Sequence, residues 1–229
     1  MIAGRSGTQK SGFALWLTAN WNLPTLYLSA DMTAFQATVR LACMKLSMTT
    51  DQVLAEIKAG GQREQNVLDV LATLNFTFSF KSPITWWGLH NEIAAYVELW
   101  DAYPKVICID NLMDLEDCGE DYTAQMQAMS ELNALSRTTG ATILILHHAT
   151  DKSLRASSDP FAAPSRSEIK NGMSEKPELC LSVGLNPNNG RYSVACLKQR
   201  MGPSNPTGDD PITLRCHAEK TQFSPWTFD

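Results

Sequence analysis

Apolar, β-branched and aromatic runs alternate along most of the chain with longer segments of helical periodicity. The apolar runs predict strands at 25–30, 75–80, 106–110 and 142–147. The helical periodicity predicts helices at 34–46, 52–58, 64–73, 86–99 and 122–138. Strands that alternate with helices are typical of a parallel sheet with crossover helices, so this pattern predicts an α/β fold.

The pattern changes after residue 149. A polar, loop-like stretch covers 149–172, and a stretch of this length inside a compact domain is usually functional or disordered. Strand-like runs follow at 178–185 and 191–197, on either side of the turn sequence Asn-Pro-Asn-Asn-Gly. Further runs at 212–216 and 221–226 predict a second hairpin. The chain is therefore expected to end in β-hairpins.

Composition narrows the class of protein. With 229 residues, 44% hydrophobic and 19% charged, the chain suits one globular α/β domain spanning 1–229. No apolar run approaches the ~20 residues that span a bilayer. The six cysteines form no C-x-x-C pair and are predicted to be reduced core residues, which argues against a disulfide frame or a zinc site. The net charge of −5 argues against a generic basic nucleic-acid coat but allows a local basic channel.

The segment 3–15, AGRSGTQKSGFAL, predicts a phosphate-binding loop that leads into a helix. Lys10 and Ser11 follow Gly4 at the spacing G-x-x-x-x-[G]-K-[ST], with Gln9 where the last glycine is usual. In such loops backbone N–H groups surround the β-phosphate, the lysine reaches the β- and γ-phosphates, and the hydroxyl holds Mg²⁺. The residues predicted to bind nucleotide are Gly4, Arg5, Ser6, Gly7, Thr8, Gln9, Lys10 and Ser11.

By itself this segment is equally compatible with a phosphate-binding loop and with a chance Gly/Ser/Lys loop before a helix. Gln9 weakens the match, because its Cβ is expected to crowd a loop in which backbone and phosphate approach closely. The remaining polar residues at strand ends decide between the two interpretations.

Two buried strands are predicted to end in polar residues. Asp110 closes the run 106–110, where a P-loop ATPase places the carboxylate that holds Mg²⁺, so Ser11 and Asp110 are the predicted metal site. The alternative is an ordinary strand that ends at a turn-forming Asp-Asn. His147 closes the run at 142–147 and His148 follows it, at the strand end where α/β sheets bind ligands, and His148 is the better candidate for a sensor of the γ-phosphate.

Lys198 and Arg200 lie two residues apart where a strand runs into a turn. Residues at this spacing project from the same face of a strand. The pair is either a solvated strand end or a basic pair that reaches the ATP of a neighbouring subunit, with Arg200 as an arginine finger.

Together these segments resemble, in the same order, the ATPase domain of the DnaB-type hexameric replicative helicases, a branch of the RecA-like fold. AGRSGTQKSGFAL is similar to that family's A-x-R-P-x-x-G-K-T-A-F-A-L, and LYLSADM to its F-S-L-E-M. CIDNLMDL resembles I-D-Y-L-Q-L, and LHHAT stands where the family has S-Q-L or S-H-L. KQRMGPSNPTG resembles K-N-R-x-G-P-x-G, while SEIKNG only loosely matches D-L-R-x-S-G.

The resemblance implies a RecA-like P-loop core with a mostly parallel sheet, flanking helices and C-terminal β-hairpins. It also implies an ATP-dependent DNA helicase subunit that uses ATP and Mg²⁺, forms a homo-oligomer (a hexameric ring) and moves on single-stranded DNA in replication. A phage-like protein of this kind is expected in the cytoplasm of a bacterial host. The catalytic residues implied are Asp31, which polarises the attacking water, His148, and the trans-acting Lys198 and Arg200.

The loop at 149–172 is the candidate DNA-contacting surface, because it directly follows the phosphate-sensing strand. Its predicted DNA-binding cations are Lys152, Arg155, Arg166 and Lys170. A plain solvated loop remains the alternative, since this density of cations is ordinary.

Three departures from the family pattern keep other functions open. Gln9 replaces a glycine, Asp31 replaces a glutamate, and nearly all of the strand that feeds the phosphate loop is expected to be missing, along with the amino-terminal domain. The expectation is an incomplete start; a separate chain that supplies the missing part is an alternative. The alternative functions are a RecA-like ATPase of recombination or loading, and a degenerate, non-catalytic P-loop module.

Overall fold

The computed structural model describes residues 1–150 and 159–227. Within them a single mixed sheet runs in the order β3-β2-β4-β5-β1-β6-β7-β8-β9. The strands are β1 Ile2–Gly4, β2 Thr25–Ser29, β3 Phe76–Ser79, β4 Val106–Asp110, β5 Thr142–His148, β6 Leu179–Asn186, β7 Arg191–Gln199, β8 Ile212–His217 and β9 Gln222–Pro225. The α-helices are α1 Lys10–Trp21, α2 Ala34–Leu46, α3 Thr50–Ala59, α4 Gly61–Ala72, α5 Trp86–Trp100 and α6 Tyr122–Thr139.

The sheet has a parallel half and an antiparallel half. Strands β3, β2, β4, β5, β1 and β6 pair in parallel. From β6 onward the pairing is antiparallel, which gives the two C-terminal hairpins β6–β7 and β8–β9. The predicted α/β class and strand pattern are thus confirmed, with small shifts at the ends of the elements.

Strand β1 is short and occupies the middle of the sheet. Its residues Ile2–Gly4 pair with β5 on one side and with β6 on the other. The expectation that nearly all of the strand feeding the phosphate loop is missing stays a prediction, because the structure shows only the three residues that are present. Each of these three residues is buried and paired on both sides.

Alternation along the strands builds two apolar layers, one on each face of the sheet. Leu26 and Leu28 point into one layer and Tyr27 into the other, as the period of two in a strand requires. The helices cover both faces of the sheet. Thr33 and Thr49 are the N-caps of α2 and α3, and each forms a capping box. These two layers therefore hold the sheet in place, with the carboxyl ends of its parallel strands along one edge.

The cysteines behave as the composition predicts. All six are free, and every one except Cys196 is buried. No group of His, Cys, Asp and Glu among the described residues has the arrangement of a metal cluster. None of the helices in the same part of the chain is long and apolar enough to cross a membrane.

Candidate active site

Four parallel strands and the start of α1 meet at one cavity of about 260 Å³ at the carboxyl edge of the sheet. Ligands in open α/β sheets bind at this edge, where the strands end and helices begin. The cavity is lined by Ser6, Gly7, Thr8, Gln9, Lys10, Ser11, Gly12, Asp31, Arg40, Asp110, Asn111 and His148. The structure thus brings together the predicted loop, metal site, water-orienting acid and phosphate sensor, which are far apart in the sequence.

Gly4 allows the loop to close tightly against β6. A Cβ at Gly4 would lie 2.7 Å from Thr8 Oγ1 and 2.9 Å from the carbonyl oxygen of Val183. Such approaches are shorter than real Cβ contacts, and the second is to backbone, so another residue type would push the loop away from the strand. Gly4 itself does not line the cavity, and its role is to shape the loop.

Gln9 adopts the left-handed conformation that usually calls for glycine, with φ 56° and ψ 31°. Its side-chain Oε1 lies 3.1 Å from the place a Cβ on Gly12 would take, so the side chain packs beside the first turn of α1. Gly12 leaves the room that this side chain uses. The structure therefore accommodates Gln9 within a loop that keeps the form of a phosphate-binding loop.

Replacing Gln9 by glycine is expected to raise the free energy of unfolding by up to about 1 kcal/mol. The left-handed conformation costs a side-chain-bearing residue roughly 1–2 kcal/mol, and the greater entropy of glycine in the unfolded chain offsets part of that gain. Urea unfolding of Gln9→Gly measures the change. Asn22→Gly is the matched control, since Asn22 also has a positive φ of 49° but is a residue type that tolerates it. A clearly destabilised Gln9→Gly would contradict this account.

Lys10 points its ammonium group back over the loop. Lys10 Nζ donates to the carbonyl oxygens of Gly4 at 3.0 Å and Arg5 at 2.9 Å. Lys10 is the first residue of α1 and lines the cavity. A phosphate bound here would contact both the ammonium group and the N-terminus of the helix.

Asp110 is buried at the end of β4 and holds two hydroxyl groups. Tyr27 donates its hydroxyl to Asp110 Oδ2 at 3.0 Å, and the Ser11 side chain hydrogen-bonds to the same carboxyl. Burial raises the pKa of Asp110 above its usual range and the charge of Asp31 adds to this, while the hydrogen bonds and Lys10 oppose it. A bound cation would stabilise the charged carboxylate, so the oxygen atoms of Ser11 and Asp110 fit a hard divalent ion such as Mg²⁺.

The two neighbouring histidines have different environments. His148 is partly exposed and lines the cavity, opposite Gly4 in the register of β5 and β1. His147 is fully buried, its Nε2 lies 3.1 Å from the carbonyl oxygen of Lys170, and burial lowers its pKa to about 4. His147 is therefore neutral near pH 7, and of the two histidines His148 is the one that lines the cavity.

Three lining residues were missing from the predicted site, namely Gly12, Arg40 and Asn111. Arg40 lies on α2, and its Nη1 contacts Met32 Sδ at 3.2 Å. Arg40 is the only charged residue between positions 34 and 44, and this isolated charge is the signal that could have identified it. Asn111 follows Asp110, and its Oδ1 accepts from the backbone of Met113, so it also starts the short turn after β4.

Arg5 was predicted to bind nucleotide, but its side chain does not line the cavity. The guanidinium group turns to the other side of the loop, where it pairs with Glu168. The backbone carbonyl of Arg5 accepts from Lys10 and Thr8, both of which line the cavity.

The basic pair lies away from the cavity of its own chain. Lys198 donates to the carbonyl oxygen of Glu175, and Arg200 forms an exposed ion pair with Glu178 at 3.1 Å. Burial lowers the pKa of Lys198, and the charges of Arg200 and Arg166 lower it further. The structure thus places Arg166 in one basic cluster with Lys198 and Arg200, although it was predicted as part of the DNA-contacting loop.

Of the predicted DNA-contacting cations, Arg166 and Lys170 lie within the described residues, where they have different partners. Lys152 and Arg155 lie outside the described residues. Lys170 approaches Glu120 Oε1 at 3.4 Å, in a surface pair of the kind that contributes little to stability. Lys170 is therefore available to other anions at little cost, whereas Arg166 Nε donates to Ser174 Oγ at 3.1 Å.

No family model matches the chain. Its relatives include the Gene 65 protein of Mycobacterium phage L5, 26% identical over 237 residues, which cover 98% of this chain and 84% of that protein. The Gene 65 protein of Mycobacterium phage D29 is 25% identical over 233 residues, which cover 98% of this chain and 97% of that protein. These relatives place similar chains in phages.

Solved structures share the fold. A DnaB-like replicative helicase, solved in work on its interactions with primase, has a TM-score of 0.80 and 15% identity, and the match covers 99% of this chain but 57% of that one. A solved ATPase domain gives a TM-score of 0.81 at 15% identity. The RadB recombinase is less similar, with a TM-score of 0.59 at 12% identity. The chain therefore has the RecA-like fold of DnaB-like helicase ATPase domains, and it spans little more than half of the helicase chain.

Proposed function

We propose that the chain is an ATP-hydrolysing subunit of a DnaB-like helicase, which couples hydrolysis at subunit interfaces to movement along single-stranded DNA during replication. The observation that carries the proposal is the single cavity that joins Lys10, Ser11, Asp31, Asp110 and His148 on a RecA-like fold. The higher structural similarity to the DnaB-like helicase than to the recombinase favours the helicase branch. The phage relatives favour a place in the cytoplasm of a bacterial host.

Within one subunit, each residue has a role that follows from its position. Lys10 and the loop amides bind phosphate, and Ser11 with Asp110 would hold Mg²⁺, which offsets phosphate charge when bound. Asp31, exposed at the end of β2, would orient or deprotonate the attacking water, and His148 would sense the γ-phosphate. Asp31 is one methylene shorter than the family's glutamate, so its reach to the water depends on a shift of the backbone.

Lys198 and Arg200 complete the site from a neighbouring subunit in this proposal. Both are remote from the cavity of their own chain, and Arg200 is exposed, so a partner could reach it. An arginine supplied in trans stabilises charge that develops in phosphoryl transfer. The assembly that fits this arrangement is a ring of identical subunits.

The test is ATP hydrolysis by the full chain over a range of protein concentrations, with and without single-stranded DNA, followed by duplex unwinding. Turnover that rises steeply with concentration and is stimulated by DNA is expected. ATP turnover without unwinding, together with filament formation, would instead favour a RecA-like ATPase of recombination. Folded, soluble protein with no turnover would favour the non-catalytic P-loop module.

Replacing Arg155 and Lys170 together by alanine is expected to weaken single-stranded DNA binding and to flatten its salt dependence. Each lost phosphate contact reduces the slope of log affinity against log salt by about 0.7. Fluorescence anisotropy across a salt series measures both quantities. Lys81→Ala is the control, because Lys81 is an exposed cation paired with Glu92 on another part of the surface. Unchanged affinity and slope in the double variant would refute the assignment of these cations to DNA.

A further inference from the structure

Arg5 joins the phosphate loop to the connection between β5 and β6. Its Nε donates to the carbonyl oxygen of Thr150 at 3.2 Å, and its Nη1 to that of Ala162 at 2.8 Å. Its Nη2 donates to Glu168 Oε1 at 2.7 Å. The Arg5 side chain thus bonds to three residues that lie 145, 157 and 163 positions away in the sequence.

The acceptor of this ion pair is itself firmly placed. The Glu168 side chain is 1% exposed, and its Oε2 accepts from the backbone N–H of Ser165 at 2.8 Å and from the Ser165 hydroxyl at 2.7 Å. The Glu168 carbonyl accepts from the backbone N–H of Thr150 at 2.9 Å. Burial by itself raises the pKa of Glu168. The hydrogen bonds from Ser165 and the charge of Arg5 outweigh this effect and hold the pKa of Glu168 below its usual range. The pair is therefore ionised near neutral pH.

The connection also packs closely on the sheet. Ser182 donates its hydroxyl to the carbonyl oxygen of Pro164 at 2.6 Å. A Cβ at Gly184 would lie 2.4 Å from the carbonyl oxygen of Phe161, so only glycine allows the segment to approach β6 this closely. A displacement of the segment that Arg5 holds must therefore change contacts with the sheet as well, which favours discrete arrangements over gradual drift.

The backbone carbonyl of Arg5 bonds to two residues that line the cavity. Its carbonyl oxygen accepts from Lys10 Nζ at 2.9 Å and from Thr8 Oγ1 at 2.8 Å. The ammonium group of Lys10 is the same group that would bind phosphate, so nucleotide and the Arg5 carbonyl compete for it. If Lys10 turns from the Arg5 carbonyl to a phosphate, Arg5 loses a hydrogen bond. Arg5 is the residue whose side chain bonds to Thr150, Ala162 and Glu168.

We propose that Arg5 and Glu168 are a positioning pair that transmits nucleotide occupancy of the phosphate loop to the segment 159–170. The inference rests on the proposed function, since it requires that the loop bind nucleotide. Neither residue lines the cavity that would hold phosphate and metal, and the pair acts by fixing the loop and the segment relative to each other. A purely structural ion pair would stabilise the fold without making the segment respond to nucleotide.

The test is hydrogen–deuterium exchange of the full chain with and without the slowly hydrolysed analogue ATPγS and Mg²⁺. In the native chain, nucleotide is expected to change the exchange of peptides within 159–170 by about fivefold or more, the scale of an ordinary coupling between sites. Glu168→Gln keeps the shape of the side chain and removes its charge, and it is expected to bind ATPγS but to lose most of this response. Glu56→Gln is the matched control, because Glu56 pairs with Arg63 on the surface.

The outcomes separate the inference from the proposed function. A full response in Glu168→Gln, or nucleotide binding by the native chain without any response in 159–170, would overturn the inference alone. A native chain that binds no nucleotide would overturn both. Should Glu168→Gln fail to fold, Arg5→Lys provides the same readout, because lysine keeps the charge opposite Glu168 but cannot hold all three acceptors. An Arg5→Lys chain with the full native response would contradict the proposal.

Discussion

Lys10→Ala is expected to lower kcat for ATP hydrolysis by at least ~10²–10³-fold, the range found when one donor that stabilises transition-state charge is removed. In the structure the Lys10 ammonium lies over the phosphate loop, held by the carbonyl oxygens of Gly4 and Arg5 within the cavity wall. Its removal takes the single lysine out of a cavity lining that also holds Arg40 and the carboxyl groups of Asp31 and Asp110. Steady-state hydrolysis, with nucleotide binding measured in parallel, tests this prediction.

The control for this substitution is Lys58→Ala, which removes an exposed lysine from the surface of α3. It is expected to leave hydrolysis unchanged. If Lys10→Ala folded normally and hydrolysed ATP at the native rate, the phosphate-loop assignment would be wrong, and the cavity would have to serve another ligand.

Arg200→Ala is expected to lower hydrolysis about 10³-fold or more, as loss of an arginine finger does, while nucleotide binding stays close to native. The reason is geometric: Arg200 does not line the cavity of its own chain, and its exposed ion pair with Glu178 contributes little to stability. The substitution should therefore spare the fold and the cis site. A hydrolysis assay combined with a thermal melt distinguishes lost catalysis from lost structure.

Mixing Arg200→Ala with Lys10→Ala provides the sharper measurement. The first variant keeps an intact phosphate loop and the second keeps Arg200, so mixed assemblies contain interfaces with both groups. Activity of the mixture should exceed the sum of the two separate variants. A mixture that shows no gain would contradict a site shared between neighbouring subunits. Arg63→Ala, which removes another surface arginine, serves as the control and should behave as the native chain does.

The fold could be predicted from the sequence because its signals are local. The strand β4 and the helix α2 have the same bounds as the predicted elements, since apolar periodicity and the Thr33 cap lie within the segments that fold. Asp110 and His148 could be placed near the phosphate loop for a related reason. Parallel strands bring their carboxyl ends to one edge, so a residue at the end of a buried strand has few other places to be.

The strand β1 could not be predicted from the local sequence pattern. Three residues carry too little periodicity to predict a strand, and its existence depends on β5 and β6, which lie on either side of it. Arg40 was missed for a similar reason, because its distance to the cavity depends on how α2 crosses the sheet.

Sequence by itself determined the class of fold, the order of its elements and the residue types of the phosphate loop. Tertiary structure alone decided the partners of Arg5 and the position of Arg40 beside the cavity. Arg5 belongs by sequence to the phosphate loop, yet its guanidinium group bonds to Thr150, Ala162 and Glu168. Local backbone preferences act over a few residues and can be read along the chain. The partner of a long side chain is set by which distant segments the folded sheet brings within hydrogen-bond distance.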